Sequence, residues 1–219
     1  MMLPDEYEKF RSVVKEELDD EFFYQSRDTD PAYHSLFDKI RLKGTVFDTH
    51  FSRQFPLRCH GIFIDIFVHD HICKGPLRQK YHIFKTLFVK SLVHHKWGGT
   101  PMHFYGKLKF ICRLATIYKD HRPIEALERL EIKTVTKYNR KNTHLLYDGR
   151  GEHTRHGSFD SSILEEGFEL MLFNGMDFPV PIRYNDYLKF SYGDDYMELP
   201  PEEKRQPGHD LAVLDFGKY

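Results

Sequence analysis

Residues 61–68 have the sequence Gly61-Ile62-Phe63-Ile64-Asp65-Ile66-Phe67-Val68. The length of this run and its isoleucine, phenylalanine and valine content predict a buried β-strand. A carboxylate at the centre of such a strand is costly, because burial penalises its charged form. Asp65 must therefore be paired, protonated or bound to a metal, and its oxygen ligands favour a hard cation such as Mg²⁺. The alternative is an ion pair with a nearby arginine or lysine, or a position at a strand end in contact with water.

The composition predicts one globular domain over residues 1–219. The length suffices for a sizeable core, and a hydrophobic content of 40% excludes an intrinsically disordered chain. Three cysteines without a repeating spacing predict reduced thiols rather than a disulfide framework. No apolar run reaches the roughly 18 residues that span a membrane, and residues 1–10 contain no signal-like apolar core. We therefore expect a cytoplasmic protein, with membrane association as an open alternative.

Charge is segregated along the chain, although the net charge is only −1. Residues 1–30 carry ten acidic and four basic residues. Residues 76–122 carry ten basic residues and one acidic residue, Asp120. Such a basic segment suits a polyanion, a phosphorylated ligand or an anionic membrane surface. The alternative is a basic helical face that pairs with the acidic N-terminal helix.

Periodicity and turn residues predict several helices and a few strands. Helices are predicted at 5–23, 33–41, 77–95, 105–118, 124–138 and 184–192, and strands at 45–47, 61–68 and 144–147. Residues 148–162 contain three glycines and are predicted to form a mobile loop. No repeat or low-complexity tract marks a domain boundary.

Cysteines and histidines are concentrated around the predicted Asp65 strand, at Cys59, His60, His69, His71 and Cys73. These residue types can bind zinc, but their spacing matches no standard zinc pattern. Asp70 is a second acid in the same region. Because it follows the predicted strand, we expect it in a loop.

The C-terminal part of the chain carries a dense series of motifs. Phe178-Pro179-Val180-Pro181 is followed by Tyr184-Asn185-Asp186-Tyr187-Leu188 and then by Tyr192-Gly193-Asp194. In this order the motifs resemble those of the LicD family of cell-surface phosphotransferases, which is similar to the fukutin-type proteins of eukaryotes. Residues 61–67 and 3–10 resemble two further family segments, so the resemblance covers nearly the whole chain. The family usually continues the first of these segments with Pro-Leu-Asp, whereas this chain has Val68-His69-Asp70.

The resemblance implies an α+β fold of the nucleotidyltransferase type, in which a small mixed β-sheet is flanked by several α-helices. Such enzymes use three carboxylates, two from an Asp-x-Asp strand and a third from a later apolar strand, and Asp65 fits the third position. Acids around Mg²⁺ can hold a diphosphate and neutralise charge on the transferred phosphoryl group. In the family the Asp-x-Asp segment would lie just before Met1. The single LicD-like domain over residues 1–219 is therefore expected to be N-terminally incomplete.

The function implied by the resemblance is transfer of a phospho-substituent, such as phosphocholine, from a cytidine diphosphate donor to a sugar hydroxyl of a cell-surface glycan. The partners would be the nucleotide-diphosphate donor and the glycan acceptor, with no nucleic acid. The alternative is a non-catalytic LicD-like subunit that binds a membrane surface or a glycan-synthesis complex. Its contact with the membrane would be peripheral and would involve residues 76–122.

Five residues are candidates for the site. Asp65 would be a catalytic residue and a Mg²⁺ ligand. Lys204 and Arg205 would contact phosphate, for which a bidentate arginine is well suited. His209 would act as a general base for the acceptor hydroxyl, and Tyr187 would stack on a base or a sugar. The alternatives are an exposed pair at 204–205, a histidine without a role and a tyrosine that packs in the core.

Overall fold

The structure, a computed structural model, describes residues 1–98, 109–118, 120–141, 143–151, 154, 156–205 and 210–219. Within these residues the chain has an α+β fold with six α-helices and ten β-strands. The helices are α1 Pro4–Glu17, α2 Pro76–Lys96, α3 Lys109–Tyr118, α4 Ile124–Val135, α5 Ser162–Glu165 and α6 Tyr184–Tyr192. The strands are β1 Phe22–Gln25, β2 Asp38–Leu42, β3 Val46–Thr49, β4 Phe63–Ile66, β5 Asp70–His71, β6 Leu145–Tyr147, β7 Phe159–Asp160, β8 Phe168–Phe173, β9 Met176–Pro181 and β10 Leu211–Asp215.

The strands form four small antiparallel sheets in the described part of the chain, with the orders β1-β2-β4, β10-β3, β5-β6-β7 and β8-β9. The expected α+β class is confirmed, but the expected single mixed sheet is wrong. Parallel pairing among the described residues is limited to an isolated bridge between Met2 and Val68. Parallel pairing of two strands needs a long crossover connection between them. The pairs β1–β2, β6–β7 and β8–β9 are consecutive in the chain and pair antiparallel.

The β1-β2-β4 sheet has two chemically different faces, because successive side chains of a strand alternate between them. On one face, Tyr7 of α1 packs with Ile66 and Val68 in a buried cluster. The other face carries Lys39 of β2 directly opposite Asp65 of β4. Strand β4 lies at the edge of this sheet in the described residues.

Helices α2 and α4 pack against each other around Leu92, Val93 and Leu127. The helices predicted at 77–95 and 184–192 are confirmed as α2 and α6, because their apolar residues recur at the helical period. The helix predicted at 124–138 is α4, which continues as a 3-10 turn at Thr136–Tyr138.

Two local predictions are wrong. The helix predicted at 33–41 is replaced by β2, because Asp38–Leu42 pairs with β1 on one side and β4 on the other. Helix α1 ends at Glu17 rather than residue 23, and the chain then forms β1. Within the predicted mobile loop at 148–162, the side chains of Asp148 and Arg150 are buried, each 7% exposed, and the mobility of the segment stays a prediction.

The β8–β9 hairpin is an element that the sequence analysis missed. Its turn is Asn174-Gly175, a dipeptide typical of type I′ hairpin turns. The large apolar side chains of the hairpin are exposed on both of its faces. The sequence therefore lacks the alternation of apolar and polar residues by which a strand is predicted.

Candidate functional site around Asp65

Asp65 lies on β4, which is shorter and more exposed than the sequence predicts. The strand covers Phe63–Ile66 rather than residues 61–68, and Ile64 is 61% exposed. The prediction of a buried strand is therefore wrong, because an edge strand of an antiparallel sheet can contact water. The Asp65 side chain itself is 29% exposed, so its carboxylate is only partly desolvated.

Lys39 is the partner of Asp65. The two residues are directly opposite in the β2–β4 register, and Lys39 Nζ donates a hydrogen bond to Asp65 Oδ1 in a close ion pair. The Lys39 side chain is largely buried, and its amine lies 3.4 Å from the centroid of the Phe63 ring. The ring face favours a cation at that position. The charge of Asp65 is thus compensated by a lysine, as in the ion-pair alternative that the sequence left open.

Asp38 is a second acid of the same sheet, and the sequence analysis did not single it out. It is buried, and its Oδ2 accepts hydrogen bonds from the hydroxyls of Tyr7 and Tyr24. Burial raises the pKa of Asp38, while the two hydroxyl donors act against this shift because they stabilise the carboxylate. The pKa values of both tyrosines are raised, chiefly by burial and then by the neighbouring carboxylate. Asp38 is opposite Ile66 in the register, so it lies on the face away from Asp65.

Asp70 is fully buried at the start of β5, so its predicted position in a loop is wrong. Arg150 Nε donates to Asp70 Oδ2 and Arg150 Nη2 donates to Asp70 Oδ1, each at 2.9 Å. Asn139 Nδ2 donates to Asp70 Oδ1 at 2.7 Å. Burial alone would lower the pKa of Arg150, but the hydrogen bonds and charge of Asp70 outweigh burial and raise it. Arg150 therefore keeps its positive charge in the interior.

Tyr7 connects the buried Asp38 carboxylate with the buried Asp70–Arg150 pair. The guanidinium carbon of Arg150 lies 5.0 Å from the centroid of the Tyr7 ring, whose hydroxyl donates to Asp38. Lys90 Nζ of α2 donates to the carbonyl of Gly151 at 2.5 Å, which fixes the segment that carries Arg150. The network therefore joins α1, β2, β5, α2 and residues 148–151. Little in the sequence predicts this network. Only the two glycines that flank Arg150 indicate that the backbone approaches another part of the chain closely there.

Tyr187 is placed by α6 against the core. Its ring centroid lies 5.5 Å from that of Phe159 and 5.7 Å from that of His69. Its hydroxyl lies 3.4 Å from His69 Nε2, and burial raises the pKa of Tyr187. These contacts match the packing alternative, and a role in substrate binding stays a prediction.

The remaining candidates lie in the C-terminal segment. Arg205 follows the 3-10 helix Glu202–Lys204, is exposed, and donates from Nε to the carbonyl of Pro200 at 2.7 Å. The side chain of Lys204 and the whole of His209 lie outside the described residues. Across the part of the chain that is described, neither Tyr187 nor Arg205 is hydrogen-bonded or ion-paired to Asp65. The structure therefore does not bring these candidates together in one site.

The cysteines and histidines around β4 have separate environments. His60 Nδ1 is hydrogen-bonded to Asp48 Oδ1 at 2.5 Å, His69 packs against Phe159, and Cys73 belongs to a core cluster. Among the residues with described side chains, no group of three or more potential metal ligands occurs.

The first residues of the chain run alongside the continuation of β4. The Met2 amide donates to the carbonyl of Phe67 at 2.9 Å, and the His69 amide donates to the carbonyl of Met2 at 3.0 Å. This parallel bridge places Met2 beside the residues that follow β4.

The sequence matches no family model and no curated protein, and the structure matches no solved structure. No helix in the described ranges is long and apolar enough to cross a membrane. A functional assignment therefore rests on the site geometry and on the motifs of the sequence.

Proposed function

We propose that the chain is a LicD-like phosphotransferase with a nucleotidyltransferase-like fold. It would move a phospho-substituent, such as phosphocholine, from a cytidine diphosphate donor to a sugar hydroxyl of a cell-surface glycan. The observation that carries the proposal is the position of Asp65 on edge strand β4, next to the parallel bridge between Met2 and Val68. In the family that the resemblance points to, an acid on such an apolar strand is the third carboxylate of the metal site.

Mg²⁺ would be the metal of this reaction, but the described residues do not by themselves fit a Mg²⁺ site. Asp65 is ion-paired with Lys39, and Asp38 lies on the opposite face with two tyrosine hydroxyls on its carboxylate. No cluster of three potential ligands occurs among the described side chains. A Mg²⁺ site at Asp65 would therefore need acids in addition to those described.

The proposal is supported by the way in which Lys39 and the buried hydrogen-bond network are held in place. Lys39 is a largely buried cation held by Asp65 and by the Phe63 ring, so its charge is fixed beside the Asp65 carboxylate. The hydrogen bond from Tyr7 to Asp38 joins α1 to β2, and Arg150, paired with Asp70, packs on the Tyr7 ring. The chain thus supplies one acid on edge strand β4 and one pre-positioned cation on the neighbouring strand β2.

The test is transfer of labelled phosphocholine from cytidine diphosphate choline to a glycan acceptor by the purified protein with Mg²⁺. Asp65→Asn should lower transfer by about 100-fold or more, the size of effect seen when a charge-stabilising group is lost, and leave the protein folded. Asp177→Asn on the exposed strand β9 is the matched control and should retain activity. A folded protein that neither transfers the label nor binds the donor in calorimetry contradicts the proposal. Full activity of Asp65→Asn would show that this carboxylate only pairs with Lys39.

A non-catalytic subunit at an anionic membrane surface is a second candidate function, and helix α2 provides the observation that favours it. Leu77, Tyr81 and Phe84 recur on one helical face and are 80%, 68% and 40% exposed. Exposed cations lie among them at Lys74 and Arg78, and α2 contains no acidic residue. Exposed apolar side chains with adjacent positive charge suit the interface of an anionic bilayer.

Vesicle flotation tests this candidate. The protein should float with vesicles that contain phosphatidylglycerol and less with pure phosphatidylcholine vesicles, and the double variant Leu77→Ser/Tyr81→Ser should lose flotation. Val13→Ser, an exposed apolar residue of the acidic helix α1, is the control and should float normally. Equal flotation with both vesicle types would exclude an electrostatic membrane function.

A further inference from the structure

An open cavity of about 530 Å³ lies between the loop after β1 and the end of α2. Its wall includes Asp30, His34, Phe55, Arg58 and Trp97. None of these residues belongs to the Asp65 site. The volume falls in the range of roughly 300–1,000 Å³ that is usual for small organic ligands.

Aromatic rings form one wall of this cavity. The ring centroids of Phe55 and Trp97 are 4.5 Å apart, with their planes inclined at 32°. Phe51 and His34 meet the Trp97 ring edge-on at centroid distances of 5.5 Å and 5.1 Å. These contacts hold Trp97 in place while the residue stays partly exposed. The wall is therefore a fixed aromatic surface that is accessible from the cavity.

Polar groups at the cavity are also oriented before any ligand binds. Arg58 is exposed, and its Nη1 donates to the carbonyl of Thr29 at 2.8 Å. His34 Nδ1 is hydrogen-bonded to Glu128 Oε1 at 2.7 Å, so Nε2 is the ring nitrogen that can meet a ligand. Two hydrogen-bonding side chains therefore lie beside the aromatic wall.

The charges around the cavity favour a neutral ligand. The fully buried Asp30 accepts hydrogen bonds from Gln25 Nε2 at 2.7 Å and from the backbone amide of Arg58 at 3.1 Å. Its negative charge balances the positive charge of the Arg58 side chain. With these two charges balanced, neither a cation such as choline nor a negatively charged nucleotide gains a net electrostatic attraction at this wall.

We propose that this cavity binds a neutral pyranose sugar. The C–H face of a pyranose packs on an aromatic surface such as that of Phe55 and Trp97, and its hydroxyls can hydrogen-bond to Arg58 and His34. Such a site would hold one unit of a glycan. Sugar binding at this cavity needs neither a donor nor a metal, so it does not depend on the proposed phosphotransfer.

The fluorescence of Trp97, the single tryptophan of the chain, tests the proposal directly. Methyl glycosides of glucose, galactose and N-acetylglucosamine are titrated separately into the full-length protein without donor or Mg²⁺. At least one should shift or quench the emission with a Kd of about 1 mM, as expected for a ligand of this size. Phe55→Ala and Arg58→Ala should each weaken that binding by about threefold to tenfold.

The control is Phe173→Ala, which removes an exposed aromatic ring of β8 and should leave the titration unchanged. Circular dichroism establishes that each variant is folded. An emission that does not respond to any of the glycosides overturns the proposal. So does an equal or stronger response to choline or cytidine, or an unchanged Kd in a folded Phe55→Ala variant. Loss of phosphotransfer activity with intact sugar binding would affect the proposed function alone.

Discussion

Arg150 binds Asp70 through two N–H···O hydrogen bonds of 2.9 Å, and neither side chain is more than 7% exposed. Removal of one partner leaves the other charge buried and unpaired. We therefore predict that Asp70→Asn and Arg150→Met each lower the free energy of unfolding by about 3–5 kcal/mol. Urea denaturation followed by circular dichroism measures this loss as a lower midpoint with an unchanged slope.

The matched control is Lys218→Met, which breaks an exposed ion pair with Glu21. Its urea midpoint should remain close to that of the unmodified protein, because solvent screens such pairs. If Asp70→Asn were no more destabilising than Lys218→Met, the buried pair would not contribute to stability as proposed. The double variant Asp70→Asn/Arg150→Met should lose less than the sum of the two single losses, since both remove the same interaction.

Lys39 and Asp65 should be energetically coupled by about 1 kcal/mol, because their ion pair is partly shielded from water. A double-mutant cycle with Lys39→Met and Asp65→Asn measures this coupling by urea denaturation. The coupling should decrease at high salt, since the Asp65 side chain is in contact with solvent. Lys39→Met combined with Asp177→Asn provides the reference cycle, in which the two effects should add. Additivity of the Lys39 and Asp65 variants would mean that the two side chains do not form a stabilising pair.

The helices could be predicted better than the sheets, because helical signals are local and strand pairing is not. Helix α2 follows from the apolar spacing within its own sequence. Strand β2 does not, because Asp38, Lys39 and Arg41 are charged and still buried. Their partners lie elsewhere in the chain, as with Arg41 Nη1, which donates to the carbonyl of Gly61 at 2.8 Å. A single sequence does not show that a charged side chain will be paired with a group so far away in the chain.

In the candidate site, too, the partners of the charged residues could not be predicted from the sequence. Asp65 stands out in the sequence because a carboxylate interrupts an apolar run, whereas Lys39, its partner, has no distinguishing local pattern. Asp70 and Arg150 are 80 residues apart, and neither segment of the sequence predicts that the two side chains pair. Their pairing follows from the fold, which places the 148–151 segment against β5. Tertiary contacts therefore decide which charged residues of this chain can be buried.

Gly61 lies so close to β2 that no side chain fits. A Cβ added there would be 2.0 Å from the carbonyl oxygen of Leu42, where the backbone cannot move without breaking the hydrogen bond from the Leu42 amide to Ile62. We predict that Gly61→Ala lowers the free energy of unfolding by about 2–3 kcal/mol, measured by urea denaturation. Gly44→Ala is the control, since a Cβ there meets no atom within 4 Å and only its positive φ of 79° is strained. Its loss should be about 1 kcal/mol. Equal losses for the two variants would contradict the close approach at Gly61.

His82 should make the protein less stable as the pH falls. It is 3% exposed, and burial, aided by the positive charges of Lys137 and Lys85, lowers its pKa to about 4. Its Nε2 lies 2.9 Å from the Tyr147 hydroxyl, which donates to the carbonyl of Val135, so the neutral ring donates from Nε2. The unfolded chain takes up a proton near pH 6.5, whereas the folded protein resists protonation until about pH 4. The stability present above pH 6.5 is thus lost as the pH falls through this window.

The expected loss between pH 6.5 and pH 4 is roughly 2 kcal/mol from His82, measured by urea denaturation at a series of pH values. His82→Gln should remove this part of the pH dependence, because glutamine does not titrate. His95→Gln, an exposed position on the same helix, is the control and should keep the pH dependence of the unmodified protein. The comparison between these two variants isolates the buried ring, since acids elsewhere in the chain titrate equally in both. An identical pH dependence of His82→Gln and His95→Gln would show that His82 is already protonated or exposed in the folded protein.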